Sequence, residues 1–129
     1  MAIEKTDAIV IRVVEFSESS CVVTLFTRDF GKIAAMAKGA RRPKSAFESA
    51  IDLLTTSRIL FLHKSSDSLD LLTEAKVQRR FRASDSSLPH LYAGYYVAEL
   101  LASLTDLGDP HPDLYNLAQE TIWRLDDMQ

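Results

Sequence analysis

A single cysteine, Cys21, serves the whole chain of 129 residues. That excludes an internal disulfide and a cysteine-based zinc site. It lies in the apolar run Cys21–Val22–Val23–Thr24–Leu25–Phe26, where the thiol reads as buried and inert. The three histidines, His63, His90 and His111, are scattered, with no HExxH and no close pair to hold a metal. There is no GxxxxGKS/T phosphate loop, and none of the serines sits in a GxSxG elbow. Catalysis therefore has no visible basis, and no cofactor or metal is implied. Long apolar runs are missing as well. No stretch is long or apolar enough to span a bilayer, and residues 1–7 lack the apolar core of a signal peptide. The expectation is a soluble, cytoplasmic protein that makes no use of a membrane.

The charge that is present is unevenly spread. The net charge is −3, yet residues 1–82 hold fourteen of the fifteen cations against ten acids, whereas residues 83–129 hold Arg124 against eight acids. Charge split by segment says more than the total, and it makes the N-terminal part the candidate anion binder. Five cations (Lys32, Lys38, Arg41, Arg42 and Lys44) fall within Lys32–Lys44, and no acid lies between Asp29 and Glu48. In Lys32–Lys38, Ile33, Ala35 and Ala37 alternate with Lys32, Ala34, Met36 and Lys38, as in a strand. Gly39 and Pro43 prevent that strand from continuing. A strand thus delivers a loop, Gly39–Ser45, that carries concentrated positive charge.

Around it, Ala8–Val14 and Ser20–Thr27 read as a hairpin joined by the polar turn Glu15–Ser19. Arg28–Gly31 makes a second tight turn into Lys32–Lys38. Ala46–Ala50 is expected to form a helical turn. Leu53–His63 reads as a longer strand, apolar on both faces through Ile59, Phe61, Leu60 and Leu62, and so belongs in a closed or covered sheet. Ser65–Ser68 is turn chemistry. Leu69–Val77 is the fifth strand, with Leu69, Leu71, Thr73, Ala75 and Val77 on one side, and it runs into a second basic cluster of Lys76, Arg79, Arg80 and Arg82. Five strands with a long interruption after the third suit a small OB-type barrel; an SH3-like barrel is the rival that periodicity leaves open.

After Arg82 the period changes. Ala83–Ser87 is a polar break with several candidate N-caps. Leu88–Leu107 reads as a helix whose apolar face is Tyr92, Tyr96, Leu100 and Leu104, widened by Val97 and Leu101. Pro112 suits the first turn of another helix, Asp113–Asp126, with Leu114, Leu117, Thr121 and Leu125 on its stripe. Two helices cannot bury a core alone. They must pack on the barrel or open a larger helical domain.

Arginine and lysine on a glycine-bearing loop can follow a sugar-phosphate backbone, giving affinity without reading sequence. A solvated loop is the plainer alternative. The second cluster gains weight only if the fold brings it beside the first. Base stacking would need exposed aromatics; Phe30, Phe47 and Phe81 flank the clusters, with burial in a core as the competing role. Tyr92, Tyr95 and Tyr96 are expected to pack while their hydroxyls reach water or a partner.

Ile9–Val10–Ile11, Phe16–Thr27, Gly31–Lys32 and above all Lys38–Gly39–Ala40–Arg41–Arg42–Pro43–Lys44–Ser45 resemble the N-terminal domain of the bacterial RecO family of DNA repair proteins. The likeness continues through Tyr95–Val97, Glu99–Leu100 and Leu114–Leu117. It implies an OB-fold domain over residues 1–82 and the beginning of a helical domain over 83–129. It also implies a recombination mediator rather than an enzyme, one that binds single- and double-stranded DNA, anneals strands, and loads RecA together with RecR and single-strand binding protein. By residue match, Lys32, Lys38, Arg41, Arg42 and Lys44 would form the DNA-binding surface; Arg79, Arg80 and Arg82 are added to the expected site as the second basic cluster, on their charge and not on the resemblance. Ala46 stands where the family often has a cation. Family members are longer, and the expectation is that this chain is a fragment whose single-strand-binding-protein surface lies in later helices. A module that docks RecR without touching DNA is the alternative.

Overall fold

The computed structural model describes residues 2–45, 47, 50–64, 69–82 and 87–127. The expected turn at Ser65–Ser68, the break at Ala83–Ser86, and Ala46, Glu48 and Ser49 of the expected helical turn lie outside the described residues. Five strands precede two helices: β1 (Ala2–Glu15), β2 (Cys21–Thr27), β3 (Gly31–Ala37), β4 (Thr56–His63), β5 (Asp70–Arg79), α1 (Leu88–Leu104) and α2 (Pro112–Asp127). None of the described helices is long and apolar enough to cross a membrane.

β1 starts six residues earlier than its apolar pattern suggests. Its first half pairs with β4, from Ala2↔His63 to Ile9↔Thr56, while Ala8–Glu15 pairs with β2. Residues Glu4 and Lys5 hide this half from any hydrophobic periodicity; its ladder partner holds it extended. The pairings run β1–β2–β3–β5–β4 and return to β1. The β3–β5 junction is parallel and rests on Ala35↔Asp70 and Met36↔Leu71.

Thr6–Ile11 is buried on both faces. Ala8 and Val10 enter an inner core with Val23, Leu25, Ile33, Ala35, Ile59, Phe61 and Leu72. Ile9 and Ile11 enter an outer core with Phe26 and the two helices. Each large side chain so buried contributes about 1.5–3 kcal/mol. Ile33, Ala35 and Ala37 all point inward, as their alternation suggests. The single-face reading of β5 fails, however. Leu60 pairs with Glu74 and Phe61 with Leu72, so Thr73 is bulged out. That extra residue switches the inward position to Leu72, leaving Thr73 exposed, as a one-residue slip must. Leu53–Thr55 is not strand: Leu54 has φ 67°, its N–H donates to the Val10 carbonyl at 2.7 Å, and its side chain is buried under the helices.

The two helices present different faces from those expected. In α1, capped by Ser87, the buried residues are Gly94, Ala98 and Leu101, whereas Tyr92, Tyr96 and Leu104 are exposed. α1 is apolar around most of its girth, so size rather than hydrophobicity selects its seat. A Cβ on Gly94 would lie 2.7 Å from Phe81 Cζ and 2.8 Å from Leu54 Cδ1. α2 buries Tyr115, Ala118 and Ile122 and leaves Leu117 exposed. Tyr115 lies 6.0 Å from Phe26, ring to ring, and its burial pushes the phenol well above its ordinary pKa. Val97, Leu100, Leu104, Leu114 and Leu117 are left lining an open apolar groove of about 250 Å³ between the helices.

Lys32 has a structural task. Its ammonium donates to the carbonyls of Ala102 at 2.9 Å and Thr105 at 2.6 Å, capping the negative end of α1. Gly108 N–H returns to the Lys32 carbonyl at 2.9 Å.

Gly94→Ala is expected to lower unfolding free energy by about 1–3 kcal/mol through overpacking, read from urea denaturation with unchanged far-UV circular dichroism. Lys32→Met keeps the aliphatic stem but removes both charged hydrogen bonds. It should cost about 1–3 kcal/mol in the same measurement.

Candidate nucleic-acid interface

At the end of β3 the chain makes two successive turns. Arg42 N–H donates to the Gly39 carbonyl at 3.1 Å and Ser45 N–H to the Arg42 carbonyl at 3.2 Å. Gly39 takes φ 71°, a conformation that glycine adopts without strain. Its N–H donates to Ser20 Oγ at 3.2 Å, which ties the loop to the β1–β2 turn. Arg41 strengthens that tie three times over. Its backbone N–H donates to the Ser19 carbonyl at 3.0 Å, its Nη1 to the Ser17 carbonyl at 2.9 Å, and its Nη2 lies 3.2 Å from Glu15 Oε1. The β1–β2 turn is itself closed by the N–H groups of Phe16 and Ser17, both donating to the Ser20 carbonyl. Turn and loop thus enclose a cleft of about 400 Å³ walled by Phe16, Ser19, Met36, Lys38, Gly39 and Arg42.

The cations expected at the site divide into three groups. Lys38, Arg42 and Lys44 are exposed, and among the described residues none of them forms an ion pair. Arg41 lies in the same loop but acts as its brace. Lys32 belongs to the cap of α1, at the far end of β3 from Lys38, roughly 20 Å along the strand. The expected grouping of Lys32 with the loop is corrected accordingly.

The second cluster is not beside the first. β5 meets the end of β3 only at Asp70 and Leu71, so Arg79 stands nine residues onward, roughly 30 Å along the strand. Arg79 is also occupied. It bonds Asp127, lies 3.3 Å from Asp126 Oδ2, and sits over the Trp123 ring with its guanidinium carbon 5.4 Å from the centroid. The Asp127 hydrogen bond raises its pKa further. Arg80 reaches Asp52 at 3.4 Å, an exposed pair worth little. Arg82 is exposed, and its backbone N–H donates to Asp126 Oδ1 at 2.6 Å. The acidic end of α2, far off in sequence, takes the Arg79 side chain and the Arg82 backbone.

The expected stacking candidates are all packing residues. Phe47 is buried, Phe30 meets Phe61 edge-on at 5.3 Å, and Phe81 rests on Gly94. The exposed aromatic beside the free cations is Phe16, which stands 65% exposed. Its signal in the sequence is an aromatic set among Glu15, Ser17, Glu18 and Ser19, where a turn needs none. Cys21 is buried, as its surroundings suggest.

A family model described as "Recombination protein O N terminal" matches residues 1–81. The chain is 50% identical over 119 residues to the DNA repair protein RecO of Rhodopirellula baltica, covering 92% of this chain and 44% of that protein. It is 36% identical over 124 residues to the RecO protein of Salinibacter ruber, covering 96% and 48%, and 32% identical over 123 residues to that of Chloroherpeton thalassium, covering 95% and 48%. The chain spans about half the length of the curated relatives it matches. A charged loop braced to a neighbouring turn, on a five-stranded sheet that this model spans from end to end, leads to one assignment: the chain belongs to the RecO family of recombination and DNA repair proteins.

Proposed function

We propose that this chain is the DNA-holding part of a recombination mediator, and that its sheet is an OB-type barrel gripping the sugar-phosphate backbone at one rim. The strand order, with a long β1 shared between β2 and β4 and a parallel β3–β5 contact, supports an OB barrel over an SH3-like one. A single observation carries the reading: Lys38, Arg42 and Lys44 stand exposed on one braced loop, with no acid in the sequence from Phe30 to Phe47. Such cations release counterions from a polyanion and read no bases. The role is that of a mediator and not of an enzyme. Annealing of strands, cooperation with RecR and single-strand binding protein, and delivery of RecA belong to the same proposal, through the family. A second reading, docking of a partner protein, draws support from the apolar groove between α1 and α2 and the exposed Tyr92 and Tyr96. The two readings use different faces and are compatible.

Three phosphate contacts on single-stranded DNA give a slope of log K against log salt near −2. Replacing Lys38, Arg42 and Lys44 together by Ala should weaken binding to every sequence alike and flatten that slope by about 2, read by fluorescence anisotropy at several salt concentrations. Lys32→Met should leave the slope unaltered. Parent-like affinity and slope in the triple variant would show that the loop is not the clamp.

A further inference from the structure

We infer that Phe16 is a stacking platform for one unpaired nucleobase, which makes the cleft between the β1–β2 turn and the basic loop a single-strand site. The inference rests on the DNA-binding reading above and adds to it a contact that charge alone does not supply.

Phe16 is a large apolar side chain held largely in water, in a turn whose other members are Glu15, Ser17, Glu18 and Ser19. Nothing in the folding of the turn requires it, since the turn closes through backbone bonds to the Ser20 carbonyl and through Ser17 Oγ, which accepts from Ser19 and Ser20 N–H. Its position is nevertheless fixed. The backbone N–H of Phe16 is bonded, and Arg41 clamps the next residue by its carbonyl. An aromatic ring on a held backbone loses little freedom when something stacks on it.

Lys38, Arg42 and Met36 line the same cleft as Phe16. The pairing of one exposed ring with unpaired cations on a groove is the arrangement that takes single strands, with phosphates on the cations and a base on the ring. The volume of about 400 Å³ falls among ligand-sized clefts. A duplex keeps its base faces stacked inside, so only an unpaired base can offer one to Phe16. Every base has a π-face, so stacking on the ring carries little preference among bases.

The test uses the whole chain and three labelled probes of roughly 12 nucleotides: an oligothymidylate, the same strand made abasic, and a duplex. Phe16→Ala is expected to weaken the oligothymidylate roughly 5- to 150-fold at fixed salt, with an unchanged salt slope. Binding of the abasic strand and the duplex should stay as in the parent. Phe16→Trp should restore affinity, and its added fluorescence, measured against the Trp123 background of the parent, should be quenched by the oligothymidylate. Parent-like oligothymidylate binding in Phe16→Ala, alongside a weakened Lys38, Arg42 and Lys44 triple variant, would overturn the stacking role and leave the phosphate clamp standing. Equal losses on all three probes would also overturn it, because the ring would then act by shaping the loop or by serving a protein contact. If neither variant alters binding to any probe, the DNA-binding reading itself fails. Circular dichroism and melting of Phe16→Ala should match the parent, since the ring packs in neither core.

Discussion

The carboxylate of Asp7 holds the strands in their arrangement. It sits on β1 one residue before Ala8, which pairs with both Thr27 and Ser57, at the point where β1 turns from one partner strand to the other. Although 6% exposed, it receives Arg28 at 2.5 Å, Arg58 at 3.0 Å and Gln78 at 3.2 Å. The β2–β3 turn, β4 and β5 are thereby drawn to one anion. Beside it, Thr6 Oγ1 donates to Asp29 Oδ2 at 2.8 Å. Removing the carboxylate would strip Arg28, Arg58 and Gln78 of their shared partner at once. Arg28 also lies over the Tyr115 ring at 5.0 Å, so the same centre that orders the sheet seats α2 upon it.

This arrangement explains how an acidic protein keeps a positive rim. Several of its cations are consumed internally: Arg28 and Arg58 by Asp7, Arg79 by Asp126 and Asp127, Lys32 by the carbonyls ending α1. Arg41 is spent joining loop to turn. Among the described residues, what faces solvent without an ion pair beside the cleft is Lys38, Arg42 and Lys44. The segregation seen in the sequence is thus sharpened on folding, and the acids of the second helix serve as counter-charges for β5 instead of repelling a polyanion at the loop.

Much of the fold was legible because β2 is a bounded apolar run, β3 alternates strictly, and the acid-free run marks the loop without any structure. Other features were silent for physical reasons. The first half of β1 carries no regular apolar alternation and depends on β4 to be a strand at all. The bulge at Thr73 leaves no mark in a run where Leu71 and Leu72 are equally apolar. The helix faces misled because leucine and tyrosine outnumber small residues on α1, while close packing against Phe81 and Leu54 favours Gly94. Lys32 read as one more cation of the cluster, because nothing in one dimension tells that the end of a helix seventy residues away will fold back to it. Phe16 is inconspicuous for the opposite reason: it lies outside the charged run, and the bonds of Arg41 and Gly39 to the β1–β2 turn bring the two together.

The thin junction between β3 and β5 bears on how the rim behaves. Every other neighbouring pair of strands is joined along seven or more positions, but this one by two. Amide protons there have the fewest cross-links to break before they exchange with solvent, so the ring gives way first along this line. Because β3 leads directly into the loop, a small parting at the junction widens or narrows the mouth beside Lys38 while both hydrophobic interiors stay shut.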